Sequence, residues 1–160
     1  MRFPAMLAAI LLSMNAPAFA KRPDVVPQVG LFEVVDVPSL AYQGLYVFGG
    51  LTLSFDVKKV FINPTLSIEY APDTGRWGFF GGITVDVPVR DGVGLDIGPI
   101  VVHDMVGNDW ANAQYYLGLY LGATFTSGKW MVSPALVLYQ GVNGAYTRGF
   151  APLFQLGYAI

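Results

Sequence analysis

Leu45-Tyr46-Val47-Phe48-Gly49-Gly50-Leu51-Thr52-Leu53-Ser54-Phe55-Asp56 places an apolar residue or glycine at every odd position, while its even positions drift toward Thr, Ser and Asp. A period of two is strand periodicity, because successive side chains point to opposite faces of a sheet. The pattern recurs on both sides of this stretch. Val60, Ile62, Pro64, Leu66, Ile68 and Tyr70 form an apolar face against Asn63, Thr65, Ser67 and Glu69. Trp77, Phe79, Ile83, Val85, Val87 and Val89 form the next, against Thr84, Asp86 and Arg90. Leu95-Ile97-Val101, Leu117-Leu119-Leu121-Ala123-Phe125, Trp130-Val132-Leu136-Leu138 and Phe150-Phe154-Leu156-Tyr158-Ile160 bring the count to seven strands. Residues 29–37 supply an eighth, the weakest because Glu33 breaks its pattern, with 38–43 as the loop that follows.

The gaps between strands alternate in length. Val57-Lys58, Arg90-Asp91-Gly92 and Ser127-Gly128 are tight, whereas 71–76, 103–113 and 141–145 are longer. Short inner turns alternating with long outer loops are the signature of a transmembrane β-barrel. With both termini on the short-turn side the strand number must be even. The expected fold is all-β: an eight-stranded antiparallel up-and-down transmembrane barrel over residues 29–160.

Composition points the same way. Of the 160 residues, 12% are Asp, Glu, Lys or Arg and 54% are hydrophobic, with a mean hydropathy of +0.49. A soluble domain carries about 25% charged residues, so a soluble periplasmic barrel fails on charge count. After the first twenty residues no run of 18 apolar residues occurs, which excludes transmembrane helices. A membrane protein without such helices can satisfy its backbone only as a closed barrel. A net charge of −2 with no basic stripe makes nucleic acid an implausible partner. There is no cysteine, and the single histidine has no carboxylate cluster beside it, so neither disulfide nor metal nor cofactor is expected.

Residues 1–20 read as a cleaved secretory signal. Met1-Arg2 is positive, Phe3 through Met14 is apolar, and Ala18-Phe19-Ala20 offers small residues before the polar Lys21-Arg22-Pro23-Asp24. About twelve apolar residues are short for an uncleaved anchor. Residues 21–28 would then form a short periplasmic segment. The location expected is the outer membrane, reached by export through the periplasm.

The second face of each strand carries Gly, Thr, Ser, Asn and Tyr with few charges, which suits a narrow polar lumen better than a watery exterior. Tyr70, Trp77, Tyr115 and Tyr146 fall near the outer ends of apolar faces, and Phe55, Trp130 and Tyr158 near the periplasmic ends. Such rings favour the headgroup level, as two aromatic belts. With these features the mature chain resembles the small Gram-negative outer-membrane barrels of the OmpA and OmpX kind. Phe154-Gln155-Leu156-Gly157-Tyr158-Ala159-Ile160 resembles their C-terminal assembly signal, with Ile160 where that family usually has Phe. The resemblance implies a porin-like monomer whose partners are outer-membrane lipids and the assembly machinery. It brings no catalytic motif.

Two constellations stand out. An odd-length hairpin loop at Arg90-Asp91-Gly92, with Gly92 left-handed, sets Asp86 opposite Asp96, both facing the lumen. Like charges so placed repel, and either Arg90 or another base completes an ion cluster, or the pair holds a proton or cation. The second is a set of strand prolines on apolar faces, Pro64, Pro99, Pro134 and Pro152. If the last loop centres on Asn143, Pro134 lies opposite Pro152 and the seam between strands seven and eight loses hydrogen bonds. Such a seam resembles the lateral lipid entrances of outer-membrane palmitoyltransferase barrels; local bulges that bend the wall are the simpler reading. His103, followed by Asp104, points outward beside Val101 and lacks the His-x-Ser of lipid A deacylases. The function expected is a structural or surface-interaction role without catalysis. The alternative is a lipid-modifying enzyme or lipid-binding barrel using the proline seam.

Overall fold

The computed structural model describes residues 24–37, 39–105, 113–142 and 148–160. The signal segment and Tyr146 lie outside the described residues. Eight strands follow in chain order: β1 Asp24–Val37, β2 Tyr42–Val57, β3 Val60–Ala71, β4 Arg76–Arg90, β5 Val93–Met105, β6 Gln114–Ser127, β7 Trp130–Gly141 and β8 Arg148–Tyr158. Each pairs antiparallel with the next, and β8 pairs with β1 to close the barrel. Closure removes the sheet edges that would otherwise invite aggregation. β1 starts earlier than the period-two pattern indicated: Asp24, Val25, Val26, Pro27 and Gln28 already pair with β2, so 24–28 are wall and not a separate periplasmic segment.

The register fixes the tilt. Paired residues traced once around the wall run from Pro27 through Leu51, Leu66, Gly81, Val101, Leu117, Gln140 and Arg148, and return to β1 at Val37. The return is ten residues further along, over eight strands. At about 3.3 Å per residue and about 4.8 Å between strands, that stagger tilts the strands by roughly 40°. A 14-residue strand such as β1 then rises about 35 Å, longer than the apolar band of about 25 Å that a barrel presents to lipid.

The short connections are two residues each on the side of the N terminus. Positive φ at Gly92 (71°) and Gly128 (62°) suits glycine, while Lys58 takes φ 63° without that freedom. The Asp91-Gly92 turn closes on an Arg90–Val93 pair, with an irregularity between Pro88 and Arg90. The extra residue, expected in the loop, is thus absorbed as a bulge in the strand, and the register beyond it is unchanged.

Four ladders each skip two successive pairs, and every skip falls at an outward-facing proline. Pro64 interrupts pairing with β2, Pro99 with β4, Pro134 with β6 and Pro152 with β1. Proline has no N–H to give. This corrects the expected weak seam. β7 and β8 pair without a gap from Trp130–Tyr158 to Gln140–Arg148, with Pro134 opposite Phe154 and Pro152 opposite Leu136. The two prolines loosen the seams on either side, β6–β7 and β8–β1, and leave the one between them whole. The interruptions are spread around the wall, which fits local bending.

Candidate functional site

The outward face carries the apolar residues. Val29, Leu51, Leu66, Ile68, Leu95, Ile97, Leu119 and Phe154 are all exposed, Leu66 at 65%. Apart from Glu33 on β1 and residues at the strand ends, no outward position of the described strands holds Asp, Glu, Lys or Arg. Rings gather near both rims. Tyr70 and Trp77 pack at 4.6 Å between centroids, and His103 packs edge-on against Tyr115 at 4.8 Å on the outer side. On the inner side Trp130 and Tyr158 pack at 4.9 Å, with Lys129 Nζ 5.7 Å above the Tyr158 ring. Phe55 lies opposite Ile62 near the same rim. His103 also contacts Phe79, at 6.2 Å, so its ring is part of the outer wall.

The lumen is less uniformly polar than the second strand faces suggest. Phe32, Phe48, Phe80, Ile100, Tyr120, Val137 and Leu153 pack as a buried cluster across it. Phe48 and Phe80 meet edge-to-face at 5.0 Å, and Phe32 stacks on Tyr46 at 4.9 Å. Phe80, Ile100 and Tyr120 line a cavity on each side of this septum. The barrel is therefore two cups set back to back. The inner cup has a volume of about 640 Å³ and the outer about 300 Å³.

The inner cup is walled by hydroxyls, amides and the carboxylate pair. Asp86 lies opposite Asp96. Thr124 donates to Asp96, so its own oxygen accepts from Ser133 at 3.1 Å. Thr52 donates to Gln28 at 3.2 Å and so accepts from Thr65 at 2.6 Å, while Gln28 donates to Ser67 at 3.4 Å. Asp86 sits over Gly94, where a Cβ would fall 1.9 Å from Oδ1. Arg90 reaches the mouth of this cup but makes no ion pair with either aspartate, and Asp86 Oδ1 is buried without a partner. The expected Arg90 cluster is thus not formed, because Arg90 lies beyond the bulge at the end of β4. Asp86→Asn should raise stability by about 1 kcal/mol in chemical denaturation, since it removes cross-strand repulsion. A loss of stability would show that the negative charge is compensated.

The outer cup holds residues that sequence reading did not bring together. Glu69 on β3, Asp104 on β5, Arg76 on β4 and Tyr46 on β2 meet there. Arg76 pairs with Asp104 at 3.7 Å, and Tyr46 donates to Asp104 at 3.4 Å. Glu69 is 1% exposed, and both of its oxygens lack a partner. Among the described residues no group of His, Cys, Asp and Glu could hold a metal ion.

Solved structures share this architecture. Neisserial surface protein A (NspA) matches with a TM-score of 0.57 at 9% identity, over 85% of this chain and 97% of that one. A de novo designed transmembrane β-barrel matches at 0.55 and 13%, over 88% and 98%. Ail, the attachment invasion locus protein of Yersinia pestis, solved with the heparin analogue sucrose octasulfate, matches at 0.52 and 8%, over 88% and 100%. The chain therefore has the eight-stranded antiparallel fold of the small outer-membrane β-barrels. No family model matches it, and neither does any curated protein sequence.

Proposed function

We propose that this chain is an integral outer-membrane protein of a Gram-negative cell, exported through the periplasm and inserted as a monomer among outer-membrane lipids by the assembly machinery. The observation that carries this reading is the wall: an apolar, nearly charge-free outer surface between two rims of aromatic rings. In water such a surface would cost about 25 cal/mol for every Å² left exposed. In hydrocarbon it costs nothing.

Its role is structural or surface-interacting, exercised through the outer connections at 72–75, 106–113 and 142–147. The septum supports this reading over diffusion, since side chains fill the waist of an eight-stranded barrel. The names of two structural neighbours, a surface protein and an attachment invasion locus protein, point the same way.

Cell fractionation tests the location. The protein should stay with the membrane through aqueous washing, need detergent for release, and migrate differently on gels before and after heating. Release into buffer alone would refute it. Lipid A compared by mass with and without the protein should be unchanged; an altered acyl pattern would replace the surface role by a lipid-modifying one.

A further inference from the structure

We propose that the outer cup binds a small organic ammonium ion. Three independent features meet in that cavity. The first is its wall: the rings of Phe32, Tyr46, Phe80, Tyr116, Tyr120 and Tyr139 line about 300 Å³, room for a compact solute. Aromatic faces carry negative partial charge and attract cations, most strongly where water is excluded.

The second is Glu69. Its carboxylate is closed off from water, has no hydrogen-bond partner, and lies over Gly78, where a Cβ would come within 2.5 Å of Oε1. A buried carboxyl without a partner is costly to ionise, and a cation entering the cup would offset that cost. The glycine opposite leaves the space that the carboxylate occupies.

The third is the balance of charge around the rim. Besides Glu69, Asp36 and Asp104 line the cup against one cation among the described residues, Arg76, which lies 3.7 Å from Asp104 and is partly exposed. Asp104 Oδ1 is buried and also lacks a partner. An anion would meet this excess of carboxylates; a neutral apolar solute would gain nothing from them. A metal ion would need several converging ligands, which the cup does not offer among the described residues. An ammonium ion held by rings, with carboxylates behind them, satisfies all three features.

The test is titration of the detergent-folded barrel with choline, and with 3,3-dimethylbutan-1-ol as its uncharged equivalent, read by amide chemical shifts. Choline should shift residues of the outer cup, Gly78 and Tyr46 among them, and bind at least about tenfold more tightly than the neutral alcohol. Glu69→Gln should weaken choline about tenfold and leave the alcohol unchanged. Phe32→Leu, which keeps an apolar filler but removes a ring, should weaken it too and guards against misfolding of the first variant. Asp96→Asn, in the opposite cup, should have no effect. Equal binding of the two probes, shifts confined to the inner cup, no binding of choline, or full affinity in both Glu69→Gln and Phe32→Leu would overturn the proposal. None of these results bears on membrane insertion, which fractionation tests separately.

Discussion

Leu119→Arg should cost about 2–4 kcal/mol of folding stability in lipid vesicles, the penalty for a basic side chain near the middle of a lipid-facing wall. Leu119 sits near the centre of β6, exposed on the outer face between Pro99 and Leu138. Arginine there must leave hydrocarbon by stretching toward a rim, and neither rim is within easy reach. Val142→Arg, just past the end of β7, should cost no more than about 1 kcal/mol because it lies at the interface. Urea unfolding of both variants in the same vesicles reads the difference. Equal costs would mean that depth does not matter, and therefore that no hydrocarbon surrounds the wall.

Gly98→Ala should also destabilise strongly, for a reason internal to the barrel. A Cβ at Gly98 would lie 2.1 Å from the Ile83 carbonyl oxygen and 2.7 Å from Thr84 Cα. Both atoms belong to the neighbouring backbone, so no rotamer change can relieve the clash. Overpacking of this kind costs about 3 kcal/mol, the upper end of its usual range. Gly49 faces outward, and a Cβ there meets nothing nearer than 3.9 Å. Gly49→Ala should therefore be neutral or gain a few tenths of a kcal/mol through the unfolded chain. Denaturation midpoints of the pair measure the contrast. Similar midpoints would mean that Gly98 is not in a tight crossing of strands.

Much of this molecule was legible because strand periodicity is two. A single parity assignment for Leu45 through Asp56 decides which residues face lipid, and the register then propagates that choice around the wall. The Asp86–Asp96 pairing was readable because Gly92 marks the hairpin and only one offset keeps both valine faces outward. The β7–β8 register was not readable in the same way. Six residues separate β7 from β8, too many for sequence to fix which one lies at the centre, and centring the loop on Asn143 misplaced Pro152 by two residues. Nor could sequence show that each proline breaks pairing on one side only, since that depends on which neighbour its nitrogen faces.

The two cups were hidden for a different reason. Phe32, Phe48, Phe80 and Ile100 share the inward parity of Thr, Ser and Gly, so along any one strand they look like exceptions to a polar face. Their meeting at one level depends on strand tilt, which sets residues distant in sequence at equal height. Glu69, Asp104 and Tyr46 come from three strands, so the pattern along any one strand does not bring them together.

The most direct measurement uses the absence of native cysteine. Single cysteines at Leu51, Leu66, Leu121 and Leu138, and at Thr84 and Thr126 in the inner cup, would carry nitroxide labels in lipid vesicles. Collision with dissolved oxygen, which concentrates in hydrocarbon, is compared with collision with a water-soluble nickel chelate. Oxygen should dominate at the four leucine positions and nickel at the two threonines. Leucine positions that collide mainly with nickel would contradict a lipid-facing wall.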